Sequence, residues 1–256
     1  MLLTGASGGI GRTLARAMAG RGGDMILTAR RADLLEPLAA EVGGRAVPAD
    51  LIDPDSIADL LARVGEFDVL VANAALPATG LLTDYSIDQI DRALDVNLRA
   101  PVVMAKLAAE QMVARGRGHL VFISSLSGKT ASAQASLYNA TKFGLRGFAL
   151  ALREDLRPHG VGVSSIFPGY ISDAGMFADS GAILPRGVGT RSPQDVADAT
   201  IRTIENDVAE VDVAPLGLRL VARLGGVAPG LSAAIQRRTG GDRVTAQLAE
   251  GQRYKR

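Results

Sequence analysis

The sequence predicts an α/β fold: a doubly wound, mostly parallel seven-stranded sheet with helices on both faces. Short apolar runs alternate with longer amphipathic stretches along the chain, the pattern of a parallel sheet covered on both sides. The runs are continuous rather than alternating, as strands buried on both faces require. A glycine-rich turn, TGASGGIG at residues 4–11, joins the first run to the first helical stretch. Such turns let a backbone approach a pyrophosphate, whose charge meets the N–H groups of the following helix.

Strands are expected at residues 1–4, 25–29, 45–49, 69–72, 120–124, 161–167 and 211–214. The first helix spans 10–20, with Ile10, Leu14, Ala17 and Met18 forming a sheet-facing stripe. Asp53 with Pro54 starts the third helix, Ser86 with Gln89 makes a capping box for the long fourth, and Ser192 with Pro193 starts another. Long helices are expected at 87–115 and 138–158. With 256 residues, 47% of them hydrophobic, one domain with a large core is expected. Residues 1–214 form its catalytic part and 215–256 a basic helical extension.

Composition excludes several functions. Residues 216–256 carry eight Arg or Lys against Asp242 and Glu250, a net +6 that leaves −5 on the remainder, so nucleic-acid binding by the whole protein is not expected. The chain has no cysteine, which removes disulfides, thiol catalysis and thiolate metal sites and fits a cytoplasmic protein. Its carboxylates are scattered, so no metal site is expected, and no run of about 18 apolar residues would span a membrane. Only three residues precede Thr4, so either the first strand is short or the natural start lies upstream.

In an open α/β sheet the ligand sits beyond the carboxyl ends of the strands at the topological switch point. The notable residues converge there: Gly5, Ser7, Gly9, Ile10 and Gly11 after the first strand, Asp50 and Leu51 after the third, Asn73 and Ala74 after the fourth, Ser125 after the fifth, and Pro168, Gly169 and Ile171 after the sixth. Tyr138 and Lys142 are four apart on a helix and share a face, so the ammonium can favour the phenolate. Making a phenolate available near neutral pH takes roughly 3 to 4 kcal/mol of differential stabilisation. The second strand ends TARR, with Ala29 where an acid would bond the 2′-hydroxyl of NAD, followed by Arg30 and Arg31. A guanidinium reads phosphate bidentately, so the expected cofactor is NADP(H), with Arg30 on its 2′-phosphate.

The T-G-x-x-x-G-x-G turn, Ser125 thirteen residues before Tyr138, and Tyr138 four before Lys142 together resemble the short-chain dehydrogenase/reductase family. The resemblance runs from Met1 to about Ala214 and includes Asn97 in DVNLRA and PGYI at 168–171. It departs in two places: the usual N-A-G is Asn73, Ala74, Ala75, and the Thr that often follows P-G-x-I is absent, with Ser172 and Asp173 nearby. The resemblance implies a Rossmann-like fold and an oxidoreductase that interconverts a small-molecule carbonyl and its alcohol. It implies Tyr138 as the acid/base, Ser125 bonded to the reacting oxygen, and Lys142 as ribose ligand and modulator of the tyrosine. It further implies that Asn97 positions a water linked to Lys142. It also implies a homodimer or homotetramer built on the two long helices. Ser124 rivals Ser125 but lacks the thirteen-residue spacing, and His119 and His159 carry no expected chemistry.

Phe177, Ile183 and Leu184 in the segment 172–191 are expected to line an apolar pocket, pointing to a hydrophobic carbonyl. In the tail, Leu216, Leu220 and Leu224 share a face with Arg219 and Arg223 beside it, a second helix holds Leu231, Ala234 and Ile235, and Asp242 is expected to cap a third. Three readings stand for it: packing over the cleft or a neighbouring subunit, a basic element resting on anionic membrane, or a solvated tail. The alternative to an enzyme is a nucleotide sensor or membrane-surface protein on the same scaffold.

Overall fold

A computed structural model describes residues 1–255. Its sheet has seven strands, β1 (Leu2–Thr4), β2 (Ile26–Thr28), β3 (Arg45–Ala46), β4 (Val69–Ala72), β5 (Gly118–Ile123), β6 (Val161–Pro168) and β7 (Glu210–Val213). Their order is 3-2-1-4-5-6-7 and every pairing is parallel, so the chain reverses its direction of travel between β1 and β4. Adjacent residues of a strand point to opposite faces, and here both faces are apolar. Leu2, Leu70, Leu120 and Phe122 enter one core with α3 (Pro54–Val64), α5 (Ala100–Arg115) and α6 (Ser136–Leu156). Leu3, Val71, Val121 and Ile123 enter the other with α1 (Gly9–Gly20), α2 (Ala32–Glu41) and α8 (Pro193–Glu205).

The edge strand β3 is shorter than expected. Val47 and Ala49 still donate to Leu27 and Ala29, and Pro48 between them turns toward the open edge of the sheet, the position where a strand tolerates a residue without an N–H. Asp53 caps α3 by accepting from Asp55 N at 2.9 Å, and Ser86 and Ser192 each close a capping box. The expected single helix over 87–115 is in fact α4 (Ile87–Leu94), a π-helical turn over Asp95–Arg99, and α5. Pro101 is the physical cause: it cannot donate to the Asn97 carbonyl four residues earlier, and its ring crowds that oxygen.

Beyond β6 come α7 (Met176–Ser180) and α8, and after β7 the chain forms α9 (Leu216–Val227), α10 (Pro229–Thr239) and α11 (Gly241–Gly251). The tail is therefore helical and packed against the fold: Ala222 is buried with Leu126 and Phe167, and the Gln252 amide donates to Met176 O at 2.7 Å. Asp242 does not cap α11. It lies in the first turn, while Gly240, left-handed at φ +80°, supplies the turn from α10. Among the described residues, no helix is long and apolar enough to cross a membrane.

Candidate active site

The glycine turn after β1 is built for close approach. Gly5 has φ +63°, and a Cβ there would lie 2.8 Å from Ala74 Cα, while a Cβ on Gly11 would strike the Gly5 carbonyl. Gly8, the residue before α1, brings no side chain to the helix N-terminus. Asn73 is placed beneath this turn: its amide donates to Thr4 O at 3.0 Å and Gly5 O at 3.2 Å, and the N–H groups of Asn73 and Ala74 donate to Thr4 Oγ1. Its side chain thus ties the glycine turn to β4. Asp50 is exposed and accepts from Ile52 N, while Leu51 beside it is buried. Arg30 and Arg31 are exposed, and neither makes an ion pair among the described residues. Arg12, which sequence reasoning passed over, donates from Nε to Ser7 O at 3.1 Å and brings a third guanidinium to the turn. Its place one helical turn past Gly8 was the available signal.

Across the switch point, Ser125 follows β5 in extended conformation and accepts from Ser127 N at 3.1 Å. Its hydroxyl stands near enough to the Tyr138 hydroxyl to favour the ionised phenol. Ser124 Oγ is instead buried, and a Cβ at Gly128 would stand 3.1 Å from it. Lys142 is buried on α6, donates to Ile123 O at 3.3 Å, and has Nζ 5.6 Å from the Tyr138 ring centre. Asn97 is buried too. Its Oδ1 accepts from Leu76 N at 2.6 Å and its Nδ2 donates to Leu76 O at 2.9 Å. The side chain therefore locks the segment after β4.

Electrostatics here differ from the sequence expectation. Burial raises the Tyr138 pKa above its usual value, and the Ser125 hydroxyl opposes this only in part. Burial also pushes Lys142 down to about 8. The lysine still carries its charge at neutral pH, but burial dominates the tyrosine and holds it as a phenol.

Asn139, next to Tyr138, is a further residue that spacing could not reveal. It donates to Ser127 O at 2.6 Å and Thr130 O at 2.9 Å, and accepts from Ser132 N at 3.2 Å, pinning the loop after Ser125 to α6. Ser125 and Tyr138 open onto a cavity of about 410 Å³ whose other walls are largely apolar: Tyr170 and Phe177, Pro185 and Val188, and Leu218 and Val221 of α9. The rings of Tyr170 and Phe177 lie 5.0 Å apart. Ile183 and Leu184 do not line it. Ile183 is exposed, with its N–H donating to Gln247, and Pro185 and Val188 take the inward places. In the tail, Leu216 and Leu220 likewise face outward, while Leu218, Val221, Ile235 and Leu248 form the cavity roof. On the far side of the cleft, Ala174 rests where a Cβ on Gly9 would go, so the chain after Pro168, Gly169 and Ile171 crosses the glycine turn.

Residues 1–182 match the family model described as short chain dehydrogenase. The chain belongs to the short-chain dehydrogenase family. It is 35% identical over 222 residues to the ketoacyl reductase HetN of Nostoc sp., covering 83% of this chain and 77% of that one. To dehydrogenase/reductase SDR family member 7B of Bos taurus it is 32% identical over 256 residues, covering 90% and 78%. Among solved structures it resembles a short-chain dehydrogenase from Sphingobium yanoikuyae in complex with NADPH, with a TM-score of 0.77, 28% identity and coverage of 90% and 94%. A metagenomic short-chain oxidoreductase in complex with NADP gives a TM-score of 0.69, 34% identity and coverage of 84% and 95%. This short-chain dehydrogenase is therefore an oxidoreductase with a Rossmann-like fold.

Proposed function

We propose that this short-chain dehydrogenase uses NADP(H) to interconvert a hydrophobic ketone or aldehyde and its alcohol, with Tyr138 as the acid/base. The observation that carries the reading is the Ser125 and Tyr138 hydroxyls side by side at one apolar cavity, with Lys142 behind the tyrosine ring. The chain's own groups fit the cofactor: a turn with no room for a Cβ at Gly5 or Gly11, a helix that begins at Gly8 and Gly9 with no side chain on either, and an Arg30 that makes no ion pair among the described residues. Gly5, Ser7, Gly9, Ile10 and Gly11 would face the pyrophosphate, Arg30 the 2′-phosphate, and Asp50, Leu51, Ala74, Pro168, Gly169 and Ile171 the remaining rim. When bound, the nicotinamide supplies or accepts the hydride.

Ser125 and Tyr138 offer two O–H donors to one carbonyl oxygen, and Tyr138 yields its proton to the alkoxide as it forms. Burial keeps Tyr138 in its phenol form, able to donate its proton when a carbonyl is reduced. The Lys142 ammonium would stabilise the phenolate as it appears, and Asn97 would position the water through which a proton returns. The chain is expected to assemble as a dimer or tetramer, since Ile87 on α4 and Phe143 and Leu150 on α6 are exposed apolar groups on the two long helical segments. Light scattering that gives a monomer refutes that part.

Tyr138→Phe tests the chemistry. With NADPH and a panel of apolar ketones and aldehydes, turnover is expected to fall at least about a hundredfold, while NADPH affinity stays within about threefold of wild type. A wild type that binds NADPH yet reduces no panel member, or a variant that keeps its rate, overturns the reading.

A further inference from the structure

The outer face of α9 and α10 takes no part in the cavity, yet it is apolar. Leu216, Leu220 and Val227 are 71%, 63% and 87% exposed, and Leu231 is 55% exposed. At about 100° per residue, Leu216, Leu220, Arg223 and Val227 fall within an arc of about 60°, a stripe roughly 17 Å long. Monomeric soluble surfaces seldom gather apolar side chains in this way. The charge around the stripe has one sign: residues 216–239 hold four arginines and no acid. Beneath α9 lies a crevice of about 650 Å³ against β7, lined by Lys129, Arg146, Arg219 and Arg223 with Glu210 and Asp212. Lys129 pairs with Asp212 at 2.7 Å and Glu210 at 3.0 Å, and Arg146 with Glu210 at 2.6 Å, so both acids are taken. Arg219 Nε is buried with no hydrogen-bond partner among the described residues.

We propose that this face docks on an anionic phospholipid surface. Leu216, Leu220, Val227 and Leu231 enter the boundary between headgroups and acyl chains, and Arg223 on the same stripe meets lipid phosphates. The charge pattern selects lipid over a second copy of the chain. A two-fold contact would set one acid-free arginine face against another, whereas an anionic bilayer answers both the apolar stripe and its cations. The inner side of α9 lines the substrate cavity through Leu218 and Val221, so a single helix would separate the bilayer from the site.

The test uses the full chain and does not depend on activity. The protein is sedimented with vesicles of phosphatidylcholine alone and with vesicles containing about one part in three phosphatidylglycerol, at low and high salt. Preferential pelleting with the anionic vesicles, weakened by salt, is expected. The pair Leu220→Glu with Val227→Glu, and separately Arg223→Glu, should each reduce partitioning at least about tenfold, because each removes an attractive group and adds repulsion. Retained thermal stability and NADPH affinity show that each variant is folded, and Leu82→Ser, an exposed leucine elsewhere, should bind as wild type. Equal pelleting with both vesicle types, or variants that bind like wild type, overturns the proposal. It is overturned equally if the double substitution only lowers the oligomeric mass in light scattering, which makes the face a protein interface.

Discussion

Replacing Arg30 with Asp tests the cofactor choice at a single side chain. Arg30 is exposed and makes no ion pair among the described residues, so the substitution removes no contact from the fold. Stability should stay within about 0.5 kcal/mol of wild type. The effect on binding is larger and differs between cofactors. Loss of a charge-assisted bond to the 2′-phosphate removes roughly 1.5 to 3 kcal/mol, and a carboxylate facing a phosphate adds repulsion. Arg12 and Arg31 remain and hold part of the attraction, which keeps the expected loss of NADPH affinity at about tenfold or more rather than complete. The same carboxylate can accept from the 2′-hydroxyl of NADH, whose affinity should hold or improve. Fluorescence titration of both cofactors into wild type and variant, with a thermal melt of each, measures all three quantities. Equal losses for the two cofactors would show that Arg30 touches neither ribose nor phosphate, and a wild type preferring NADH would refute the reading of the end of β2 outright.

Two further outcomes are expected. Asn139→Leu strips three hydrogen bonds from the loop over Ser127–Ser132 and should cost about 2 to 4 kcal/mol of stability in urea unfolding. In enzyme that remains folded, kcat should fall and NADPH affinity should not, because the glycine turn lies on the other side of the cleft; loss of NADPH affinity with an intact kcat would contradict the role given to this side chain. His119, bonded to Ser164 Oγ at 2.8 Å, is pushed down to about 4, chiefly by burial and then by Arg153, with Asp207 opposing. The unfolded chain binds a proton below about 6.5 that the native imidazole refuses until about 4, so stability is full above that window and falls as pH drops through it, by roughly 3 kcal/mol at most. Urea midpoints measured across that range should slope less in His119→Gln, and parallel slopes for the two proteins would rule the imidazole out as the cause.

The parts of this molecule that a local rule dictates were legible in the sequence. Continuous apolar runs located all seven strands, and Asp53, Ser86 and Ser192 marked their helix starts because a cap needs only neighbouring residues. The convergence of Gly5, Ser125, Tyr138 and Lys142 followed from strand order, since motifs after parallel strands all emerge on one edge. What local rules could not supply was partnership at long range. Asn73 reads as a ligand-facing loop residue until its amide is seen holding Thr4 and Gly5, and Asn139 reads as an ordinary helix residue until the loop it pins is in place. In α9 the periodicity found a true apolar face but not its direction, because Leu218, Val221 and Ala222 make an equally apolar one. The break at Pro101 was readable in principle: a proline four residues after Asn97 forbids the regular helix that hydropathy alone suggests.

The tail lies outside the matched family segment, yet it is tied to the chemistry by a chain of hydrogen bonds. Gln236 of α10 accepts from Ser132 Oγ at 2.8 Å and donates to Ala131 O at 2.9 Å, and Ser232 Oγ lies 3.1 Å from Thr130 Oγ1. Those residues belong to the loop that Asn139 pins to α6 beside Tyr138, and the same loop begins at Ser125. A substrate that pushes on the roof therefore pushes on the segment carrying the oxygen that polarises it. This linkage explains why apolar roof residues such as Ile235 and Val244 sit on helices rather than on a free loop. A pocket with few polar groups can orient a carbonyl only if its walls hold their shape, and the hydrogen-bonded seam from α10 to α6 provides that rigidity.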